Sequence, residues 1–263
     1  MKVWLDALTS KQGTLLAHIA LKLIDEGFNV LITCREYELT CDSINRLGLK
    51  PHVVGRYAEG DLLSKLQADS ERTSKLATLV KENNPKVLIA YPNPSASRVA
   101  FGLKIPYIAL TDSPHAEIPS RLSLPLASYV VFSLCIDRSS ISRYVFQEKC
   151  SMIQYNGVDE LMWIKYGRPN DGVLTLYGVE KFSYVIIRPQ EFYASYYTRY
   201  SNVNIIDVIK LINSYDLTVI FIPRYSVHYE LARKLINEGL KIKLITKGYD
   251  GLSLTYYAFT VIT

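Results

Sequence analysis

The sequence predicts an α/β protein built from two Rossmann-like lobes. Short, almost wholly apolar segments, which suit buried parallel strands, alternate with longer segments whose apolar residues recur at helical spacing. The alternation is interrupted by a stretch rich in Gly, Pro and polar residues, and it then starts again. The chain has 263 residues, of which 49% are hydrophobic, so it is long enough to bury two ordinary cores.

The first lobe is predicted over residues 1–156. Its first strand covers residues 3–5, and the helix that follows ends at Gly27, a residue suited to a helix terminus. The same patterns assign the remaining elements in order. Strands are expected at 29–33, 51–54, 86–91, 105–111, 129–133 and 152–155, and helices at 36–47, 61–82, 96–103 and about 139–147.

Residues 157–171 are predicted to be a linker, and residues 172–263 a second lobe. Strands are expected at 184–187, 217–222, 242–245 and 259–262, with helices near 203–212 and 227–237. If the strands take the order 3-2-1-4, the last of them lies at a sheet edge. We therefore expect the second lobe to be truncated, and the chain to self-associate through this edge strand.

Composition and charge exclude several classes of partner. The net charge of +5 is modest and the basic residues are scattered, which does not indicate a nucleic-acid or membrane surface. No apolar run reaches the roughly 18 residues of a membrane span, and the N-terminus does not read as a signal peptide. The four cysteines form no CxxC pair, so we expect free or buried thiols and a cytoplasmic protein.

Polar side chains follow the strands of the first lobe at the edge where parallel strands end. Asp112, Ser113 and His115 come directly after the strand at 105–111, and the carboxyl ends of such strands are where ligands bind in open α/β sheets. The other candidates for substrate binding at this edge are Thr9, Lys11, Arg35, Asn93 and Ser95. The alternative is that Asp, Ser and Thr here cap helices and that Arg35 forms a surface pair.

We predict Asp112 and His115 as catalytic residues. His115 is the one histidine in a predicted site loop, and imidazole can accept a proton from a hydroxyl near neutral pH. Asp112 either fixes the tautomer of His115 or acts as the base itself. No Asp-x-Asp pattern or ligand cluster indicates a metal, and no cofactor is predicted.

Successive strands of the second lobe end in cations, namely Arg188, Arg224 and Lys247. Three positive charges at neighbouring strand ends favour an anionic ligand such as a diphosphate, which arginine binds with its planar fork. The alternative is neutralisation by Glu191, Glu230 or Asp250.

Several segments carry a resemblance to a known family: MKVWLDALTSKQ, VLITCREYE, LTDSPHA, IQYNGVDEL, VIIRPQE and VIFIPR. In this order they resemble an uncharacterised archaeal family, a domain of unknown function related to GT-B-fold glycosyltransferases and to UDP-N-acetylglucosamine 2-epimerases. The resemblance implies a nucleotide sugar, a UDP-sugar by preference, held mainly by the second lobe, with the rest of the substrate on the first and the site in the cleft between lobes.

The resemblance also has one departure. In the related enzymes the last strand runs into a Gly-rich turn and a helix that holds the donor diphosphate, whereas this sequence stops at Thr263. The prediction is thus a glycosyltransferase-like nucleotide-sugar-binding protein with little or no activity as this chain. The alternatives are a 2-epimerase-like enzyme and a non-catalytic ligand-binding protein.

Overall fold

The computed structural model of the chain describes residues 1–58, 61–190, 204–246 and 249–263. The chain divides into two compact units, Met1–Lys165 and Tyr166–Thr263. Each unit contains one wholly parallel sheet with helices packed on both faces, which confirms the α/β class with two Rossmann-like lobes. Within the described residues, no helix combines the length and the hydropathy needed to cross a bilayer.

The first unit alternates strands and helices along the chain. Its elements are β1 (Lys2–Ala7), α1 (Ser10–Asp25), β2 (Asn29–Glu36), α2 (Thr40–Asn45), β3 (His52–Arg56), α3 (Leu62–Asn83), β4 (Val87–Ala90), α4 (Pro94–Gly102), β5 (Tyr107–Thr111), α5 (Glu117–Ser123), β6 (Tyr129–Ser133), α6 (Arg138–Ser142), β7 (Ser151–Tyr155) and α7 (Leu161–Tyr166), whose last residue begins the second unit. The sheet order is β3-β2-β1-β4-β5-β6-β7. Strands β2 and β3 are therefore added on one side of β1, and β4 to β7 are added on the other.

Both faces of this sheet are buried, which explains the unbroken apolar strands. One face packs Trp4, Leu31 and Leu88 against α3 and α4, and the other packs Val3, Leu5 and Ile32 against α1 and α2. With every strand parallel, all carboxyl ends lie at one edge, and the loops that leave this edge carry the predicted site residues.

The second unit contains α8 (Gly172–Tyr177), β8 (Tyr184–Ile187), α9 (Ile205–Ser214), β9 (Thr218–Phe221), α10 (Ser226–Asn237), β10 (Ile242–Leu244), α11 (Gly251–Tyr257) and β11 (Thr260–Ile262). The sheet order β10-β9-β8-β11 is the predicted 3-2-1-4 arrangement, with β11 at the edge of the described sheet. One face packs against α8 and α11 and the other against α9 and α10.

The structure differs from the predicted elements mainly in short helices. The second helix covers only six residues instead of 36–47, because a turn around Tyr37 precedes it and Gly48 adopts a positive φ soon after it. Helices α5, α8 and α11, which span seven residues or fewer, and α7, within the segment predicted as a linker, were not predicted. Each is too short to show two full repeats of a helical apolar pattern.

The cysteines also differ from expectation. Cys34, in the buried part of β2, and Cys41, in the first turn of α2, form a disulfide with their Cα atoms 5.8 Å apart. Our expectation of free or buried thiols was therefore wrong for this pair. The turn between β2 and α2 brings the two residues together, and their spacing matches no short cysteine motif. Cys135 and Cys150 are free, as expected.

A buried ion pair joins β1 to α3. The Asp6 carboxylate is fully buried and accepts hydrogen bonds from Arg72 Nη2 at 2.7 and 2.9 Å. The Thr33 hydroxyl and the Asn93 amide also donate to it. Gly55 lets Arg72 pass beneath β3, because a Cβ at this position, where φ is +73°, would lie 2.9 Å from Arg72 Cγ.

We predict that Arg72→Met lowers the free energy of unfolding by about 3 to 5 kcal/mol, because it leaves the buried Asp6 carboxylate without its counter-charge. Urea unfolding followed by circular dichroism measures this loss. Lys75→Met is the matched control on the same helix, since it breaks only the exposed pair with Glu71 and should leave the urea midpoint unchanged. Equal midpoints for wild type and Arg72→Met would contradict the structural role of the pair.

Candidate functional site

Three carboxylates surround one lysine at the carboxyl edge of the first sheet. The Lys11 ammonium, in the first turn of α1, lies 2.5 Å from Asp112 Oδ2, 2.9 Å from Glu160 Oε1 and 3.5 Å from Asp159 Oδ2. Asp112 follows β5, whereas Asp159 and Glu160 follow β7. The parallel sheet thus brings together residues that are up to 149 positions apart in the sequence. We call Lys11, Asp112, Asp159 and Glu160 the Lys11 cluster.

Asp159 is the most buried carboxylate of the cluster, with 9% of its side chain exposed. It accepts hydrogen bonds from the hydroxyl groups of Tyr91, at the end of β4, and Tyr155, the last residue of β7. Gly157 takes a φ of +150° in the loop after β7, a value that side chains with a Cβ disfavour. The Asp159 carboxylate is therefore fixed from two strands, and it holds the ammonium in place.

The pKa shifts follow from these contacts. Burial opposes the charge on Lys11, but hydrogen bonds to Asp112 and Glu160 and the charges of Asp112 and Asp159 outweigh it and raise its pKa. Burial, and next the bond to Asp159, raise the pKa values of Tyr91 and Tyr155. Near neutral pH the Lys11 cluster therefore contains a charged lysine, and the two tyrosines bound to Asp159 are protonated. With raised pKa values these groups keep their protons near neutral pH, so they can donate hydrogen bonds and stabilise negative charge.

The loop after β5 carries the two predicted catalytic residues. Asp112 contacts Lys11 and accepts a hydrogen bond of 2.8 Å from Ser113 Oγ. Tyr144 OH and Arg143 Nη2 approach Pro114 O at 3.4 Å each, which fixes the middle of the loop. The His115 side chain is exposed to solvent at the carboxyl edge. Asp112, Ser113 and Lys11 therefore lie together, and their roles in catalysis and substrate binding stay predictions.

The other predicted substrate-binding residues have contacts within the protein. Thr9 caps α1, and its side-chain oxygen lies 3.5 Å from Gln12 N. Asn93 is buried, caps α4 and donates to Asp6, while Ser95 is buried and donates to Asp69. Arg35 lies over the rings of Tyr37 and Tyr57, and its Nη2 donates to Leu8 O. Their direct contact with substrate stays a prediction.

Two of the three predicted nucleotide-binding residues lie at adjacent strand ends of the second unit. Arg188 follows β8, its backbone N–H donates to Ile262 O, and its Nε is a buried donor with no hydrogen-bond partner among the described residues. Arg224 follows the neighbouring β9 and donates from Nε to Pro189 O at 2.6 Å. Lys247 and the alternative partner Glu191 lie outside the described residues.

Asp250, one of the acidic residues named as alternative partners of the cations, has a structural role in the second unit. Asp250 caps α11, because its carboxylate accepts from the backbone N–H of Ser253 at 3.1 Å and from the Ser253 hydroxyl at 2.6 Å.

His228 Nδ1 lies 3.2 Å from the backbone N–H of Arg224, and burial together with the Arg224 charge lowers the pKa of His228. Near neutral pH a neutral imidazole therefore lies beside Arg224.

Four residues of the site were not predicted from the sequence: Tyr91, Tyr155, Asp159 and Glu160. Asp159 and Glu160 lie in the segment NGVDE directly after the predicted strand at 152–155, so the strand-end argument used for Asp112 would also have found them. Among the described residues, no group of three or more His, Cys, Asp or Glu side chains is arranged to hold a metal ion. In the cluster, the Lys11 ammonium supplies the positive charge between the carboxylates.

The two Rossmann-like units define a protein with a GT-B-like fold. The chain belongs to the family described as "Protein of unknown function (DUF354)", whose model matches residues 1–263. An uncharacterized protein of Methanocaldococcus jannaschii is 28% identical over 144 residues. That match covers 55% of this chain and 42% of the relative, which is less than half of the relative's length.

Solved structures share the fold at low identity. The S. aureus MnaA–UDP structure matches with a TM-score of 0.71 and 14% identity, over 99% of this chain and 73% of that one. The UDP-GlcNAc 2-epimerase of Methanocaldococcus jannaschii, in complex with UDP-GlcNAc and UDP, gives 0.70 and 17%, over 99% and 78%. UGT73P12 of Glycyrrhiza uralensis gives 0.54 and 12%, over 99% and 71%.

Proposed function

We propose that this protein binds a nucleotide sugar, by preference a UDP-sugar, and acts on it as a glycosyltransferase-like enzyme. The observation that carries the proposal is the buried Nε of Arg188, which has no hydrogen-bond partner among the described residues and lies beside Arg224 at adjacent carboxyl ends of parallel strands. A buried donor without a partner costs free energy, and an anionic ligand at this edge would supply the missing acceptor. The fold supports the proposal, because proteins solved with UDP or UDP-GlcNAc share it.

The second unit would contribute diphosphate binding. Guanidinium groups form paired, charge-assisted hydrogen bonds with phosphate oxygens. Arg188 lies directly after the carboxyl end of β8. Pro189 O holds the guanidinium of Arg224 through its Nε and so restricts its orientation. A second cation held in a fixed orientation would bind a phosphate oxygen at a lower entropic cost than a mobile one.

The first unit would contribute the acid and base groups. A glycosyl transfer needs a base for the acceptor hydroxyl, and Asp112 or the exposed His115 can fill this role. Lys11 fixes Asp112 through their 2.5 Å contact and carries a charge that can stabilise a developing anion. Thr9, Arg35, Asn93, Ser95 and Ser113 stay proposed substrate-binding residues.

The Lys11 cluster also favours a second candidate, a UDP-N-acetylglucosamine 2-epimerase-like reaction. Such a reaction removes a proton from the sugar and returns one, so it needs more than one acid or base. The cluster supplies three carboxylates around one ammonium, and Tyr91 and Tyr155 add two hydroxyls bonded to Asp159. The product distinguishes the two candidates, since an epimerase forms the C2 epimer of the sugar nucleotide and a transferase releases UDP.

The remaining proposals concern self-association, the role of Lys247 and the cellular location of the protein. Self-association through β11, binding of Lys247 to the nucleotide and a cytoplasmic location all stay predictions. So do the archaeal source and the division into lobes at 1–156 and 172–263 with a linker between them. Apolar side chains near β11, such as Phe182, Tyr215 and Phe259, are exposed and would favour self-association.

We predict that Arg188→Ala and Arg224→Ala each weaken UDP binding by roughly 1 to 3 kcal/mol, the scale of a charge-assisted hydrogen bond. Isothermal titration calorimetry with UDP measures the change. Arg233→Ala is the matched control, because Arg233 is an exposed arginine on α10 and its loss alters the net charge equally. If the double variant Arg188→Ala, Arg224→Ala binds UDP as tightly as wild type, the nucleotide site is elsewhere.

We also predict that Asp112→Asn and His115→Ala each lower the turnover of UDP-N-acetylglucosamine by roughly 100-fold, as loss of a general base commonly does. NMR would follow formation of UDP and of the C2 epimer. His52→Ala is the control, because this exposed histidine lies on the edge strand β3, which β2, β1 and β4 separate from β5. Full turnover in His115→Ala would assign His115 a structural role only, and full turnover in both variants would remove the proposed chemistry from this loop.

A further inference from the structure

The Cys34–Cys41 disulfide closes a small covalent ring around residues 35–40, which connect β2 to α2. Cys34 is fully buried, whereas Cys41 is half-buried and is the more exposed residue of the pair. Glu38 takes a positive φ of 46° inside this ring, a conformation that residues with a Cβ seldom adopt. The ring therefore holds the connecting segment in a conformation that a free chain would tend to leave.

This segment packs directly on the residues that carry Lys11. The Ser10 hydroxyl, next to Lys11, lies 3.2 Å from Glu38 Oε2 and accepts from Leu39 N at 3.3 Å. Gly13, three residues after Ser10 on α1, lies close against the same segment, since a Cβ at this position would be 2.6 Å from Thr40 O. The backbone carbonyl of Leu8 receives Arg35 Nη2 at 3.3 Å. The start of α1 is thus clamped by the segment that the disulfide closes.

The same segment forms half of the wall of an open cavity of about 570 Å³. Glu36, Tyr37 and Glu38 line it from the ring, and Arg56, Tyr57 and Ala58 line it from the end of β3. The Arg35 guanidinium lies 5.3 and 5.1 Å from the Tyr37 and Tyr57 ring centres and couples the two walls. Release of the ring would therefore change both this cavity and the start of α1.

We propose that the Cys34–Cys41 disulfide is a redox control on the position of Lys11. A dithiol reductant would attack Cys41 Sγ and form a mixed disulfide, while Cys34 leaves as a thiolate and takes up a proton. The second thiol of the reductant then attacks the reductant sulfur of the mixed disulfide. Cys41 leaves as a thiolate and takes up a proton. Two electrons and two protons pass to the protein, and the reductant becomes a cyclic disulfide.

The consequence is a looser start of α1 in the reduced protein. Lys11 touches its three carboxylates only while the first turn of α1 stays in place, so a mobile turn weakens the Lys11 cluster. As a control on catalysis, the inference rests on the proposed function, in which this cluster does the acid and base chemistry. The change in the first turn does not depend on any activity.

The first test measures structure alone. We expect two thiols per chain when unreduced protein is unfolded and titrated with a thiol reagent, and four after dithiothreitol. Hydrogen exchange of peptides covering residues 8–13 and 35–40 should become roughly tenfold faster after reduction, as local opening predicts. Four thiols before reduction, or exchange that reduction does not change in these peptides, would overturn the proposal whether or not the protein has an activity.

The second test measures function and uses variants. Cys41→Ser should copy the reduced protein, with faster exchange at 8–13 and a turnover of UDP-N-acetylglucosamine lowered roughly tenfold by the less rigid cluster. Its UDP affinity should be unchanged, because Arg188 and Arg224 belong to the other unit. Cys150→Ser, which leaves the disulfide intact, is the matched control and should behave as wild type.

The outcomes separate the two proposals. Faster exchange and lower turnover in Cys41→Ser, with equal UDP affinity, support the redox control. Exchange at residues 8–13 equal to wild type in Cys41→Ser would overturn it, and faster exchange with unchanged turnover would overturn the control of catalysis. If wild type neither binds UDP nor turns over the sugar nucleotide, the proposed function fails, and the exchange of residues 8–13 alone then decides whether the disulfide controls the position of Lys11.

Discussion

The buried carboxylate of Asp6 is the constraint on which the first unit depends. This carboxylate is buried together with its counter-charge Arg72, and it is tolerated because Arg72, Thr33 and Asn93 all donate to it. These donors come from α3, β2 and the start of α4, so one group fixes three elements around β1. The loops that leave the carboxyl edge of β1 and β4 start from this fixed point, and the Lys11 cluster depends on their positions.

Much of the fold could be predicted from the sequence, because two-sided burial makes parallel strands continuously apolar. The strand order of the second unit followed from topology, as β11 beside β8 shows. The pairing of Cys34 with Cys41 could not be predicted in the same way. It depends on the path of a short turn after β2, and a spacing of seven residues carries no signal of that path.

The candidate site was predicted only in part, for a physical reason. Lys11 and Asp112 were found because each follows an apolar strand, and the structure brings them into contact. Asn93 could not be assigned from its position alone, since a strand-end amide can face a ligand or cap a helix, and here it caps α4 and holds Asp6. Asp159 lies four residues beyond β7, and only the fold reveals its contact with Tyr91.

The central claim is that cations at the strand ends of the second unit bind a nucleotide diphosphate. Arg188 directly follows β8, at the carboxyl edge of the second sheet, and offers a buried donor without a partner among the described residues. A crystal structure determined with UDP-N-acetylglucosamine tests this most directly. We expect diphosphate oxygens within hydrogen-bond distance of the Arg188 guanidinium at the carboxyl ends of β8 and β9. A nucleotide bound at any other edge, with Arg188 not in contact with it, would contradict the account.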